Sequence, residues 1–560
     1  MPALRHALLS LLLVAISWGQ SAGDPTDVMF VNGRVMTMDS RVPRADSVLV
    51  RGERIVAIGI EEDVRSAMRP GGKVVDLDGK LVVPGFNDSH SHFTGGSRLL
   101  RQLNLYGVDT LAKVLKLVKE SVDRAQPGEW IYGSRYDHTL WGDRWPTKQD
   151  LDRVAPDNPV VLRRASGHSV WVNSLALKIS GITSASKDPP AGEIQRDSKT
   201  RQPTGILLES AAGLVRGRRR GPQLTREQRR KRLEADLIAG FRHAARRGVT
   251  SVQTSSSLRE MEVIRELKAQ GKLTLRWTGW LPLRQAAWLG ERGVVTGQGD
   301  NWVRVGFLKG YIDGTLGDGT AAMFDPFIDR PDFDGLPTMN QKKLDAMVVE
   351  ADRLGFQIGI HAIGDKGVHM VLNAFERAAR VNGTKDRRHR VEHAQVIHKD
   401  DLRRFARLGV IASMQPTHCT TDMRFAETRI GRLRCRTAYP WRSLLDSGAK
   451  LAFGTDWSVE PLDPMRGVYS AVTRTNIQRM EPKTGWFPEQ KLTAWEAVYH
   501  YTVGSAYGEH LEDVKGSLAP GRLADFVVLD HDVFTIPHEK ILETKVVMTV
   551  VGGKTVYDGR

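Results

Sequence analysis

The chain has 560 residues, 41% of them hydrophobic, a make-up that excludes a single small domain and fits one large soluble domain with a satellite. Its net charge is +16, and its only cysteines, Cys419 and Cys435, exclude a disulfide framework, with one bridge and two free thiols both open. Beyond the N-terminus no segment is long and apolar enough for a transmembrane helix, so stable membrane insertion is not expected.

At the N-terminus Arg5 precedes the apolar run "ALLSLLLVAI", residues 7 to 16, and the small residues of "SWGQSAG" follow. Charge, a short apolar core and a small-residue exit are the order of a secretory leader, here residues 1–22. The expected location of the mature chain is therefore periplasmic or secreted.

Residues 27 to 83 form short apolar runs separated by tight turns, with Asn32-Gly33 and Asp78-Gly79 as hairpin signals. The last fifty residues repeat the pattern in "ADFVVLD" and "KVVMTVVGGKTVYDG". Residues 23–83 and 511–560 are thus expected to build one small β-domain from both chain ends.

Between them, residues 84–510 alternate strands with amphipathic helical stretches. The candidate strands are "KLVVPGFNDSH", "GVTSVQTS", "LTLRWTGWL", "VRVGFLKGYID", "GFQIGIHAIG", "RHRVEHAQ", "GVIASMQP" and "KLAFGTDW". Eight βα units with near-continuous apolar strands predict an α/β fold, a (β/α)8 TIM barrel with a parallel sheet buried on both faces. The first crossover is too long for a loop, so about residues 95–240 read as an inserted α/β subdomain. Within it, Trp130, Trp141 and Trp145 are candidates to line an apolar pocket. The arginine-rich stretches "VRGRRRG" (215 to 221) and "REQRRKRL" (226 to 233) lack interleaved aromatics, so a solvated helix face is expected and nucleic acid is not.

The chemistry concentrates at strand ends. Side chains alternate along a strand, so His90 and His92 in "PGFNDSHSH" face the same way, into the barrel mouth. His361 ends "FQIGIHA", His393 ends "RVEH" and Asp456 ends "LAFGTD", at the C-terminal face where barrel active sites are built. Buried polar groups that converge without partners are costly, and a metal centre satisfies them together. Imidazoles and carboxylates without thiolate suit zinc, with manganese, nickel or iron as substitutes. Lys309, among apolar neighbours in "GFLKGYID", is either paired with Asp313 or, with its pKa depressed, converted by carbon dioxide to an anionic carbamate bridging two ions. His168, Gln415 and His418 are candidate substrate-side groups. Asp88 and Glu392 are candidates to orient the ligand imidazoles.

"PGFNDSHSH", the lysine of strand four, "HAIGD", "VEHAQ", "MQPTH", "FGTDWSVEPLDP" and "GSLAPGRLADFVVLD" resemble the amidohydrolase superfamily, in its amidohydrolase-3 group of YtcJ-like proteins and N-substituted formamide deformylases. The resemblance implies a composite β-sandwich beside a metal-bearing barrel and hydrolysis of a carbon–nitrogen bond of the amide, N-acyl or N-formyl type by a metal-activated hydroxide. It implies two divalent ions, most simply zinc, with His90 and His92 on one, His361 and His393 on the other, carbamylated Lys309 between them, and Asp456 as ligand and proton carrier. One departure stands out: where the family has a Ser-Arg pair, this chain has Asp318-Gly319, which removes a substrate-side cation. The expected partners are a small-molecule substrate and a second copy in a homodimer. The alternatives are a mononuclear deaminase or lactone or ester hydrolase of the same superfamily and, outside enzymes, an exported metal-containing binding protein.

Overall fold

The computed structural model describes residues 26–100, 102–142, 144–215 and 225–560. The leader-like residues 1–22 and residues 216–221 of the first arginine-rich stretch lie outside them. Among the described residues no helix is long and apolar enough to cross a membrane.

Eight parallel strands form the central barrel: β1 Phe86–Ser91, β2 Val249–Ser255, β3 Arg276–Pro282, β4 Val303–Tyr311, β5 Ile358–Ala362, β6 Arg390–His393, β7 Ile411–Met414 and β8 Lys450–Phe453. Each pairs with its neighbour in chain order, and the sheet nearly closes where Asp456 N donates to His90 O at 2.7 Å and Ser91 bridges Trp457. The run expected as one first strand is two strands in two sheets. Leu81–Pro84 pairs with Phe526–Leu529 in the outer domain, and the chain enters the barrel only after Gly85. A Cβ on Gly85 would stand 2.2 Å from Thr250 Oγ1, so the crossing requires glycine.

The outer domain is a sandwich of a four-stranded and a six-stranded sheet, the latter containing Leu81–Pro84, Phe526–Leu529, Val546–Val551 and Lys554–Asp558. Phe30, Val48, Val50, Phe526, Val528 and Val550 fill the space between them, with Phe30 edge-on to Phe526 at 4.9 Å. Neither the Asn-Gly nor the Asp-Gly turn closes the expected hairpin. Asp27–Val31 and Arg34–Met36, on either side of Asn32-Gly33, belong to different sheets, as do Lys73–Asp76 and Leu81–Pro84 around Asp78-Gly79. Such turns permit the positive φ of Asn32 (55°) and Asp78 (53°), but burial against the opposite sheet decides the strand's partner.

The insert carries its own mixed six-stranded sheet, from Leu103–Asn104 to Pro203–Glu209. Trp141 and Trp145 pack on its apolar core beside Leu162 and Trp171, and Trp130 packs on the adjoining cluster of Val170 and Val172. These three tryptophans are framework of the insert rather than walls of a pocket. The helix Arg226–Ala245 buries Leu237, Phe241 and Ala244 in the barrel core, while its arginine-rich first turns are exposed and partly paired, Arg230 with Glu234 and Lys231 with Glu227. Cys419 and Cys435 are free, buried thiols.

Candidate metal centre

The C-terminal ends of the barrel strands bring one carboxylate among several imidazoles. Asp456 Oδ1 lies 3.3 Å from His92 Nε2 and 3.9 Å from His90 Nε2, and Asp456 Oδ2 lies 3.6 Å from His418 Nε2. Two trios share this residue: His90, His92 and Asp456, and His393, His418 and Asp456, the ligand atoms of each within 4.8 Å of one another. His361 stands close, its ring 4.5 Å from that of His393, but its Nε2 faces the Gly314 carbonyl at 3.0 Å. His418, assigned from the sequence to the substrate side, stands with His393 and Asp456 in the second trio. Asp456 and His393 adopt left-handed φ of 54° and 75°, strain that packing sustains at functional sites.

Neighbours fix the rings. His90 Nδ1 donates to Glu392 Oε2 at 2.5 Å, and Arg390 Nε donates to Glu392 Oε1 at 2.7 Å, all three side chains being fully buried. His393 Nδ1 donates to Gln415 Oε1 at 2.7 Å, so Gln415 holds the His393 ring. With Nδ1 engaged, the Nε2 lone pairs of His90 and His393 are left for the centre. Asp88 does not touch an imidazole. It takes Thr455 N at 2.9 Å, Thr455 Oγ1 at 2.5 Å and the backbone N of His90 at 3.2 Å, tying β1 to the end of β8.

The electrostatics favour neutral imidazoles. Burial, reinforced by the Lys309 charge, drives His90 well below the ordinary histidine value and His92 down to about 3. Burial is also the main cause of the low values of His361 and His393. It draws the Lys309 ammonium down against the attraction of Glu392 and Asp456, and it pushes the Asp456 carboxyl up. The Lys309–Asp313 pair does not form. Asp313 accepts the backbone N–H groups of Ile363, Gly364 and Ala322 at 3.0, 2.8 and 2.9 Å, whereas Lys309 Nζ stands 3.3 Å from His90 Nε2.

The insert completes the mouth. His168 reaches over it, its ring 5.3 Å from His361, and its Nδ1 donates to Glu209 Oε2 at 2.8 Å. Burial opposes the charge on His168, but the Glu209 carboxylate prevails and raises its pKa. Asp318 lies 3.1 Å from Arg164, so the position that lacks the family's cation recruits one from the insert. Sequence reasoning missed Tyr311, Trp280 and Glu209. Tyr311 follows Lys309 by two residues and shares its face, a signal present in the strand period; its ring lies 4.9 Å from Lys309 Nζ. Trp280, 4.6 Å from the His90 ring, and Glu209, on the insert, carry no comparable local signal.

The residues fit divalent ions. Asp456 Oδ1 and His418 Nε2 are buried without a hydrogen-bond partner, and the donors are neutral imidazole and carboxylate, the ligand types zinc takes. Orphaned buried atoms of this kind are costly, and an ion satisfies both.

The model of the amidohydrolase family matches residues 73–557. Along 96% of this chain and 92% of the relative, the sequence is 34% identical to the protein LONG AFTER FAR-RED 3 of Arabidopsis thaliana. It is 29% identical to the N-substituted formamide deformylase of Arthrobacter pascens, over 95% of this chain and 98% of the relative. The crystal structure of an uncharacterized metal-dependent hydrolase from Pyrococcus furiosus superimposes with a TM-score of 0.70 at 30% identity, over 91% of this chain and 100% of that one.

Proposed function

We propose that this chain, which belongs to the amidohydrolase family and is a metal-dependent hydrolase, cleaves a carbon–nitrogen bond of the amide, N-acyl or N-formyl type by addition of water. The observation that carries the reading is the orphaned, buried Oδ1 of Asp456 at the junction of two ligand trios. The likeness to a formamide deformylase supports the choice of bond.

His90, His92 and Asp456 would hold one ion and His393, His418 and Asp456 a second, with Lys309, carbamylated, between them. Divalent ions such as zinc supply there a Lewis acid for the scissile carbonyl and lower the pKa of a water toward ~7. Asp456 takes the proton from the attacking water and returns it to the departing nitrogen, so that water adds to the carbonyl carbon as the C–N bond breaks. His168, whose protonated form the Glu209 carboxylate favours, faces the same mouth and would donate to the carbonyl oxygen as negative charge develops there. Trp280 and Tyr311 wall the site beside Lys309 and His90. The ring positions are held by Glu392 and Gln415.

The test is turnover of a panel of N-acyl and N-formyl amines by zinc-loaded protein, with chelation expected to abolish it and zinc to restore it. Hydrolysis of esters or lactones with no amide turned over would overturn the choice of bond. A stoichiometry of one ion with an unmodified Lys309 amine would replace the dinuclear centre by the mononuclear one.

A further inference from the structure

Between the insert and the barrel mouth lies a pocket lined by Tyr106, Arg135, Arg424, Glu460, Arg466 and Gln478, among others. Its charges are unevenly matched. Arg424 Nη2 donates to Asp137 Oδ2 at 2.7 Å, and the two oxygens of Glu460 accept from hydroxyls, Tyr106 Oη at 2.6 Å and Thr421 Oγ1 at 2.7 Å. Arg135 and Arg466 make no direct hydrogen bond to a carboxylate, although Glu460 attracts Arg135 across the pocket and is reached from Arg466 through the Tyr106 hydroxyl. Arg135 places Nε and Nη2 on one backbone carbonyl, Val459 O, at 3.3 and 3.1 Å. Arg466 gives Nη2 to the Tyr106 hydroxyl at 3.0 Å and keeps a buried Nε without any partner.

Arg135 is held there deliberately by the fold. It is only 6% exposed, it is the extra residue where the pairing of Ile131–Tyr136 with Val160–Arg164 skips, and its φ is 71°. A bulge with a left-handed arginine is strained, and it re-aims the guanidinium across the seam toward the barrel. The Tyr106 ring lies 4.0 Å from that guanidinium and fixes its plane. The room left is 40 Å³. A water needs roughly 10–15 Å³ on that measure, so the space takes about three water-sized groups, the bulk of one carboxylate.

Two short stretches of chain connect the pocket wall to the metal centre. Val459 N donates to Asp456 O at 2.6 Å, so the carbonyl that holds Arg135 and the proposed proton carrier share one turn of chain. Thr420 and Thr421 lie on the helix Pro416–Asp422 two and three residues beyond His418, about 3 to 4.5 Å along the helix axis. We propose that this pocket is a substrate subsite that takes a carboxylate, so that the preferred substrates are amides bearing a carboxylate a few bonds from the scissile carbonyl. Two guanidinium groups, one held only by a backbone carbonyl and one with an orphaned Nε, offer donors for the two oxygens of such a group, and their two charges exceed the single charge of Glu460. The inference rests on the amide-hydrolysis reading for the word substrate, and on geometry alone for the pocket.

The experiment compares N-formyl and N-acyl amino acids with their carboxamides on zinc-loaded full-length protein, in wild type, Arg135→Gln and Arg466→Gln. Wild type is expected to prefer the acid in kcat/KM by about tenfold or more, chiefly through KM, and each variant to lose about tenfold of that preference. The second variant keeps the test decisive if the strained position of Arg135 does not tolerate glutamine. In parallel, propionate is expected to inhibit competitively and to raise the wild-type melting temperature more than propionamide or sodium chloride at matched ionic strength, with that excess lost in the variants. Equal turnover of acid and carboxamide, an unchanged preference in a folded variant, or non-competitive inhibition would overturn the subsite while leaving amide hydrolysis standing. Arginine-dependent stabilisation by propionate without turnover of any amide would support the pocket and overturn the amide reading instead.

Discussion

Near the starts of the barrel strands, Lys515 Nζ stands 2.6 Å from Glu509 Oε1, Asn87 Nδ2 donates to the same oxygen at 2.7 Å, and Thr278 Oγ1 donates to Oε2 at 2.5 Å. At the strand ends, Lys309 and Asp456 are just as buried, yet Lys309 has an imidazole for its nearest polar neighbour and Asp456 retains an orphaned oxygen. The lower cluster has paired its charges, and its leftover atom is a neutral amide oxygen, Asn87 Oδ1. The upper cluster brings opposite charges near one another without a direct hydrogen bond between them. Equal burial therefore carries different meanings: a completed pair stabilises the barrel against removal of either partner, whereas an incomplete one waits for a ligand.

The widest separation of the two clusters comes from isosteric neutralisation of one carboxylate in each. Asp456→Asn is expected to lower kcat by about a hundredfold or more, while the metal-free protein melts no lower than wild type because a buried, half-satisfied carboxyl has been removed. Glu509→Gln is expected to do the reverse, costing about 3–5 kcal/mol of stability by stranding Lys515, with kcat per folded molecule little changed. Turnover assays and denaturant melts on both variants check this. If the two substitutions act alike, the distinction between closed and open clusters fails.

The two lysines sharpen the same contrast. Lys309→Ala is expected to lose metal and most of the rate, and acetate or propionate is expected to restore part of both by supplying carboxylate oxygens in the vacated space. For Lys515→Ala the same acids are expected to restore nothing, since the group left unpaired is the Glu509 anion. Metal content by elemental analysis and rate against acid concentration, with chloride as the control, read this out.

The smallest effect belongs to another completed cluster, at the seam of insert and barrel. Burial alone would push the Asp318 carboxyl up, but Arg164 and the hydroxyls of Ser166 and Thr315 overcome it and hold it down at about 2, against an ordinary 3.8. A carboxyl depressed by folding contributes its stability in full above the unfolded value and loses it as pH falls through the folded one. About 2 kcal/mol should therefore drain between pH 3.8 and about 2. Arg164→Met is expected to flatten the fall in melting temperature across that window, and an unaltered slope would remove Asp318 from the account.

Features that depend on local period and on residue type are legible in the sequence. The eight alternating βα units are legible because strand and helix periods are properties of adjacent residues. So is the shared face of His90 and His92, and so is that of Lys309 and Tyr311, although the second was overlooked. The supply of imidazole and carboxylate at strand ends was legible for the same reason. Tertiary structure alone decided who meets whom. The partner of His90 is Glu392, 302 residues away, and His418 joins His393 and Asp456 because a helix beyond β7 turns it inward. Asn32-Gly33 and Asp78-Gly79 join two sheets instead of closing hairpins, and Asp318 finds its cation in Arg164 of the insert. Such pairings are set by how whole layers pack. Packing is a property of distant surfaces brought together, and no window of neighbouring residues contains it.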